Sequence, residues 1–197
     1  MIAIFNKLCG KNIANFYSNS LFKKSGNSFA PEEITALMGV TNLVSVLICM
    51  NLLKYYGRRT LMLWGFAGMA LSLTVLGACS LYSINSLLIV SIIVYCFSFE
   101  ISAGPITWIL LAEILEDKAM GLCTGFMWFG SVVISAVIPI IAAAVGPDGT
   151  GKIWVGCGIS CAFGWIYFYF YLPETKGKTK QEITAIYDVT PSSDKFS

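Results

Sequence analysis

Five nearly uninterrupted apolar stretches, near residues 33–53, 60–82, 86–115, 119–145 and 152–172, constrain this chain more than anything else in it. About 20 apolar residues in a helix match the hydrocarbon thickness of a bilayer. In hydrocarbon, a helix meets every backbone hydrogen bond within its own segment. Each run is far longer than a buried strand, so each reads as a membrane-spanning helix. A sixth run, near 1–22, is weaker, because Lys7, Lys11 and several asparagines interrupt it. The connections are short and polar, among them "KYYGRRT", "EDK" and "GPDGTGK", and none has room for a soluble domain. The expected fold is all-α and polytopic. A six-transmembrane-helix bundle over 1–172 is followed by a short segment over 173–187 and a disordered tail over 188–197. In "TKQEITAIY", Thr179 and Glu182 stand at capping-box spacing, with Ile183, Ile186 and Tyr187 on one face. That pattern predicts a short amphipathic helix lying at the membrane surface.

Composition narrows the function. Charged residues make up 12% of the chain, against about 25% in a soluble domain. The net charge of +2 comes with no basic face carrying interleaved aromatics, so nucleic acid is not an expected partner. The chain has no histidine, the commonest general base and metal ligand. Its seven cysteines are scattered through the apolar runs without a C-x-x-C pair and read as small buried hydrophobes. No catalytic residues, metal or cofactor are expected, and the chain does not read as an enzyme. "GPDGTGKI", 146–153, comes close to a phosphate-binding loop, but Ile153 stands where a hydroxyl should hold magnesium. It reads as a turn between spans.

Basic residues in short loops set the orientation of a membrane protein. Lys54, Arg58, Arg59, Lys118, Lys176, Lys178 and Lys180 fall on one side, and Lys23, Lys24 and Lys152 on the other. The first side is expected to be cytoplasmic, which puts the C-terminus there. Glu113 closes the third long run on that same side. Pairing between Glu113 and Arg58 or Arg59 would tie the two loops together as an inner gate.

"FSFEISAGPITWILLAEIL", 97–115, is the most apolar neighbourhood in the chain, yet it carries Glu100 and the helix-disrupting pair Gly104-Pro105. A charge at the bilayer centre costs about 2.5–3.5 kcal/mol on insertion scales. Freed backbone groups are tolerated only against protein or a water-filled cavity. On an unbroken helix, Glu100 and Trp108 lie about 80° apart around the axis and about 12 Å apart along it, so both can border one cavity. Glu100 then either lines a polar path or bonds a neighbouring helix.

"GRRTL", "GPITWILLAEIL" and "LPETKGKT" occur in that order, each at a helix end, and "NIANFYSNSLF" precedes them. Together they resemble the sugar porter family of the major facilitator superfamily, in particular helices seven to twelve of its hexose transporters. The resemblance covers nearly the whole chain. It implies half of a major facilitator fold built from inverted three-helix repeats, with a hexose-like sugar carried by alternating access at the midplane between halves. The partners it implies are the bilayer and a missing N-terminal half or partner half-transporter. The plasma membrane is the implied location. Sugar-contacting roles fall on Asn12, Asn42, Glu100 and Trp108. Phe16 and Tyr17 match an aromatic gate, and Gly104-Pro105 a gating bend. Some positions depart from the family pattern. Asn6 and Lys7 stand where the family has paired glutamines, and Trp128 and Val132 where it has asparagines. Lys54 and Tyr55 replace the acidic and basic residues ahead of "GRR". The missing amides favour an alternative, a non-transporting membrane scaffold or degenerate paralogue.

Overall fold

The computed structural model describes residues 1–14, 31–82, 85–146, 149–178 and 182–183. Among the described residues the longer helices follow in order: α1 Ile2–Leu8, α2 Pro31–Tyr55, α3 Arg58–Leu81, α4 Asn85–Ile101, α5 Pro105–Ile114, α6 Asp117–Val145 and α7 Thr150–Tyr171. No strand occurs among the described residues. Among the described residues, five stretches are long and apolar enough to cross a membrane: Ala36–Tyr55, Arg58–Leu81, Leu87–Ile114, Lys118–Ile141 and Gly151–Tyr171. They coincide with the five apolar runs, and the chain is an integral, multi-pass membrane protein.

The first, weaker run is not one continuous helix in its described part. α1 ends at Cys9, Gly10 takes φ +88°, and helix resumes over residues 11–14. Only glycine enters that left-handed region without strain. The interruption frees carbonyls, and that of Cys9 accepts a hydrogen bond from the Tyr95 hydroxyl at 3.0 Å and a long contact from Cys161 Sγ at 3.8 Å. Tyr95 is wholly buried.

The third span is interrupted as well. α4 stops at Ile101, residues 102–104 form a turn, and Pro105 opens α5. Proline lacks the N–H that would have bonded four residues back, to Ile101. The Ile101 carbonyl accepts instead from Cys49 Sγ of α2 at 3.1 Å, and the Ala103 carbonyl accepts from Asn6 Nδ2 of α1 at 2.6 Å. The break expected at Gly104-Pro105 is therefore sealed by side chains from two other helices.

α3 is the centre of the bundle. Met62, Phe66, Met69, Leu73 and Leu76 are each fully buried and recur at three- and four-residue intervals, one apolar stripe of a helix. α7 presents Trp154, Cys161 and Phe168 at seven-residue intervals to that stripe, with the Phe66 and Phe168 rings edge-on at 4.8 Å. The two helices approach backbone to backbone. A Cβ on Gly77 would lie 2.8 Å from the Gly151 carbonyl, and one on Gly151 would lie 3.0 Å from the Gly77 carbonyl. Lipid is as apolar as leucine, so membrane helices associate through such close, small-residue packing. α2 and α6 bury the least of their surface, and α6 leaves Leu122, Phe126, Phe129, Val132 and Ile140 exposed. In a bilayer these side chains meet lipid or further protein.

Of the expected amphipathic helix over 179–187, only Glu182 and Ile183 are described; both are helical, and Ile183 is buried. The tail over 188–197 lies outside the described residues.

Tyr95→Phe removes the hydroxyl that satisfies the Cys9 carbonyl while keeping the ring. Unfolding of the detergent-solubilised protein should then require about 1–3 kcal/mol less, the cost of an orphaned buried acceptor. Denaturant titration followed by tryptophan fluorescence measures it.

Candidate substrate cavity and gate

A cavity of about 430 Å³ opens at the α4–α5 break. Glu100 and Phe99 line it from the end of α4, Gly104, Pro105 and Trp108 from the turn and α5, Asn6 and Lys7 from α1, Val46 from α2 and Trp128 from α6. Glu100 and Trp108 thus face one cavity from the two sides of the break.

Glu100 is not a bare carboxylate. Its Oε1 accepts from Lys11 Nζ at 2.9 Å, and both side chains are mostly buried, at 15% and 18% exposure. Lys11 also sits over the Phe99 ring, 4.8 Å from its centre. Glu100 thus both lines the cavity and ties α4 to the segment after α1. The pairing reduces the charge cost that made Glu100 conspicuous.

Asn6 explains its own burial. Its Nδ2 donates to the Ala103 carbonyl and, at 3.1 Å, to Thr107 Oγ1, so one amide bridges both sides of the turn. Lys7, one position on, points its ammonium at the Trp128 indole, 5.6 Å from the ring centre.

Asn12 and Asn42 do not join this cavity. Asn12 is half-buried, with its Nδ2 3.4 Å from the Ser131 carbonyl of α6. Asn42 is half-buried on α2, its Oδ1 enclosed without a hydrogen-bond partner among the described residues. Of the four expected sugar contacts, Glu100 and Trp108 line this cavity. The wall instead carries Asn6 and Lys7, where the family has paired glutamines, and Trp128, where it has an asparagine. Phe16 and Tyr17, the expected aromatic gate, lie outside the described residues.

At one end of the bundle the loops are fastened together. Arg58 Nη2 pairs with Glu113 Oε1 at 3.0 Å, joining the start of α3 to the end of α5, with both side chains 24% exposed. Arg59 takes a different partner. Its Nη2 donates to the Tyr169 carbonyl at 2.7 Å, and the guanidinium lies over the Tyr169 ring. The segment after α7 completes the clasp. Glu174 Oε1 accepts from the Arg58 backbone N–H at 2.9 Å, at the positive end of α3, and Lys176 Nζ donates to the Lys54 and Tyr55 carbonyls at 3.0 and 2.8 Å, at the negative end of α2. A carboxylate at a helix start and an ammonium at a helix end both complement the helix dipole. Glu174 and Lys176 escaped sequence reasoning as contacts, although "PETKGK" carried the signal as a motif.

The family model for "Sugar (and other) transporter" matches residues 1–187. The chain belongs to that family. Relatives include a facilitated trehalose transporter, Tret1, of Bombyx mori, 31% identical over 92% of this chain and 38% of its own length. The arabinose-proton symporter of Bacillus subtilis is 30% identical over 95% of this chain and 41% of its own. Among solved structures, the major facilitator proton:xylose symporter XylE bound to 6-bromo-6-deoxy-D-glucose superposes with a TM-score of 0.84 at 26% identity, over 95% of this chain and 42% of that one. The inward open form of XylE from E. coli gives 0.77 at 25%. This sugar porter chain therefore spans about two-fifths of the length of the curated relatives it matches.

A double-mutant cycle separates the two arginines. Reversing Arg58 and Glu113 singly and together should show a coupling on the order of 1 kcal/mol in unfolding free energy. Combining Glu113→Gln with Arg59→Met should be additive.

Proposed function

We propose that this chain is the C-terminal half, helices seven to twelve, of a sugar porter that moves a hexose-like sugar by alternating access. The observation behind the reading is the cavity at the α4–α5 break, where a carboxylate, an indole and a broken backbone meet in one span. An indole stacks on the C–H face of a sugar and donates a hydrogen bond. Trp108 and Glu100 are the proposed sugar contacts, with Asn12 and Asn42 as contacts that a different conformation or the companion half would bring in. α2 and α6, the least covered helices, form the proposed face toward the N-terminal half. The Arg58–Glu113 pair and the Glu174–Lys176 clasp act as the inner gate, holding one end closed until the two halves rock apart. The relatives are transporters, and the proposed mechanism needs no covalent chemistry.

The loop charges support a cytoplasmic C-terminus, and the family resemblance supports the plasma membrane. With native thiols replaced, Lys178→Cys should stay unlabelled by an impermeant maleimide added to intact cells and label after permeabilisation. Labelling in intact cells reverses the topology.

In cells expressing the assembled transporter, Trp108→Ala should cut uptake of labelled hexose about tenfold or more, the loss expected when a stacking contact worth about 1.4 kcal/mol disappears. Surface biotinylation should be unchanged. Normal uptake in this variant would favour a scaffold role for the chain.

A further inference from the structure

At the α4–α5 break two ammonium groups, Lys7 in the cavity wall and Lys11 paired to Glu100, stand against one carboxylate. The cavity's one carboxylate, Glu100, is already paired with Lys11. Lys7 lines the same cavity, and among the described residues no carboxylate lies within ion-pair distance of it. Its ammonium faces the Trp128 ring at 5.6 Å, and an indole face compensates a cation only in part. Asn6, the neighbouring amide, commits its nitrogen to Ala103 and Thr107. A charge inside a membrane-spanning bundle is expensive, and such residues pair with an opposite charge or mark a substrate path. The cavity therefore offers an entering ligand an ammonium whose opposite charge has yet to arrive.

We propose that the cavity takes a sugar bearing an anionic group, a carboxylate or a phosphate, with Lys7 as the residue that receives the charge. The inference rests on the sugar-transport reading above. Lysine presents a compact charge with three donors, suited to either anion. The indoles of Trp108 and Trp128 supply apolar faces for the sugar ring on the same cavity wall system. At about 430 Å³ the space accommodates a single sugar unit, within the range of about 300–1,000 Å³ usual for small-molecule sites.

The test uses the tagged chain, purified from its native membranes with any polypeptide that stays bound and placed in nanodiscs of neutral lipid. Equilibrium dialysis compares radiolabelled D-glucose, D-glucuronate and D-glucose 6-phosphate. One or both anionic sugars should bind about tenfold tighter than glucose, equivalent to about 1.4 kcal/mol. Which of the two does so identifies the anionic group. Lys7→Met should abolish the difference between anionic and neutral sugars, and Lys7→Arg should keep most of it. Glucose binding as tightly as both anionic sugars in the unmodified protein overturns the proposal without any variant, and leaves sugar transport standing. A preference that survives in Lys7→Met overturns it too. Failure of all three sugars to bind overturns the sugar-transport reading itself.

Discussion

Hydrocarbon offers no hydrogen-bond partner to a peptide carbonyl, and that constraint organises this bundle. The chain interrupts its helices twice inside apolar sequence, at Cys9–Gly10 and at residues 102–104. Each interruption exposes carbonyls that protein must satisfy. Tyr95 answers the first from α4, and Asn6 and Cys49 answer the second from α1 and α2. The contacts are reciprocal: α4 seals the break after α1, and α1 seals the break after α4. Neither helix can rotate or slide without orphaning the other's backbone, so the two breaks fix the register of the helices around the cavity.

The cavity follows from that arrangement. It lies at the break between α4 and α5, with Glu100 on one side and Trp108 on the other, and holding α1 against the break brings Asn6 and Lys7 to its wall. The charges in the membrane region are placed by the same contacts. Lys11 reaches Glu100 because helix resumes after Gly10, turning the chain back toward α4. On the far side, α3 and α7 pack through glycines at carbonyl distance. Of the spans that line the cavity, α2 and α6 are little buried, whereas the α4–α5 span is nearly as buried as α3.

At the Arg58 end, charge is used differently. The Arg58–Glu113 pair and the Glu174–Lys176 clasp are partly solvated and join helix ends that lie far apart in the chain. Partly solvated pairs are worth little singly, and a network of modest contacts fits the gate proposed above. Lys11–Glu100 is the more enclosed of the two ion pairs, at 18% and 15% exposure against 24% for both partners of Arg58–Glu113.

The five long spans, their connections, the break at Gly104-Pro105 and the family motifs were legible in the sequence, because each is set by local length, apolarity and backbone chemistry. Glu100 and Trp108 were legible as a pair because eight residues of helix place them on one side. The gate was half legible: charges at two neighbouring helix ends pointed to a pair, but only packing against α7 sent Arg59 to Tyr169 and left Arg58 for Glu113. The partner of Glu100, 89 residues away, was not legible, nor was the role of Asn6, whose acceptor is 97 residues distant. Both depend on how each helix is rotated about its own axis. Apolar residues cover nearly every face of these helices, so hydropathy carries no record of which face turns inward. The close approach of glycines and the sealing of freed carbonyls decide it, and they exist only once the helices have met.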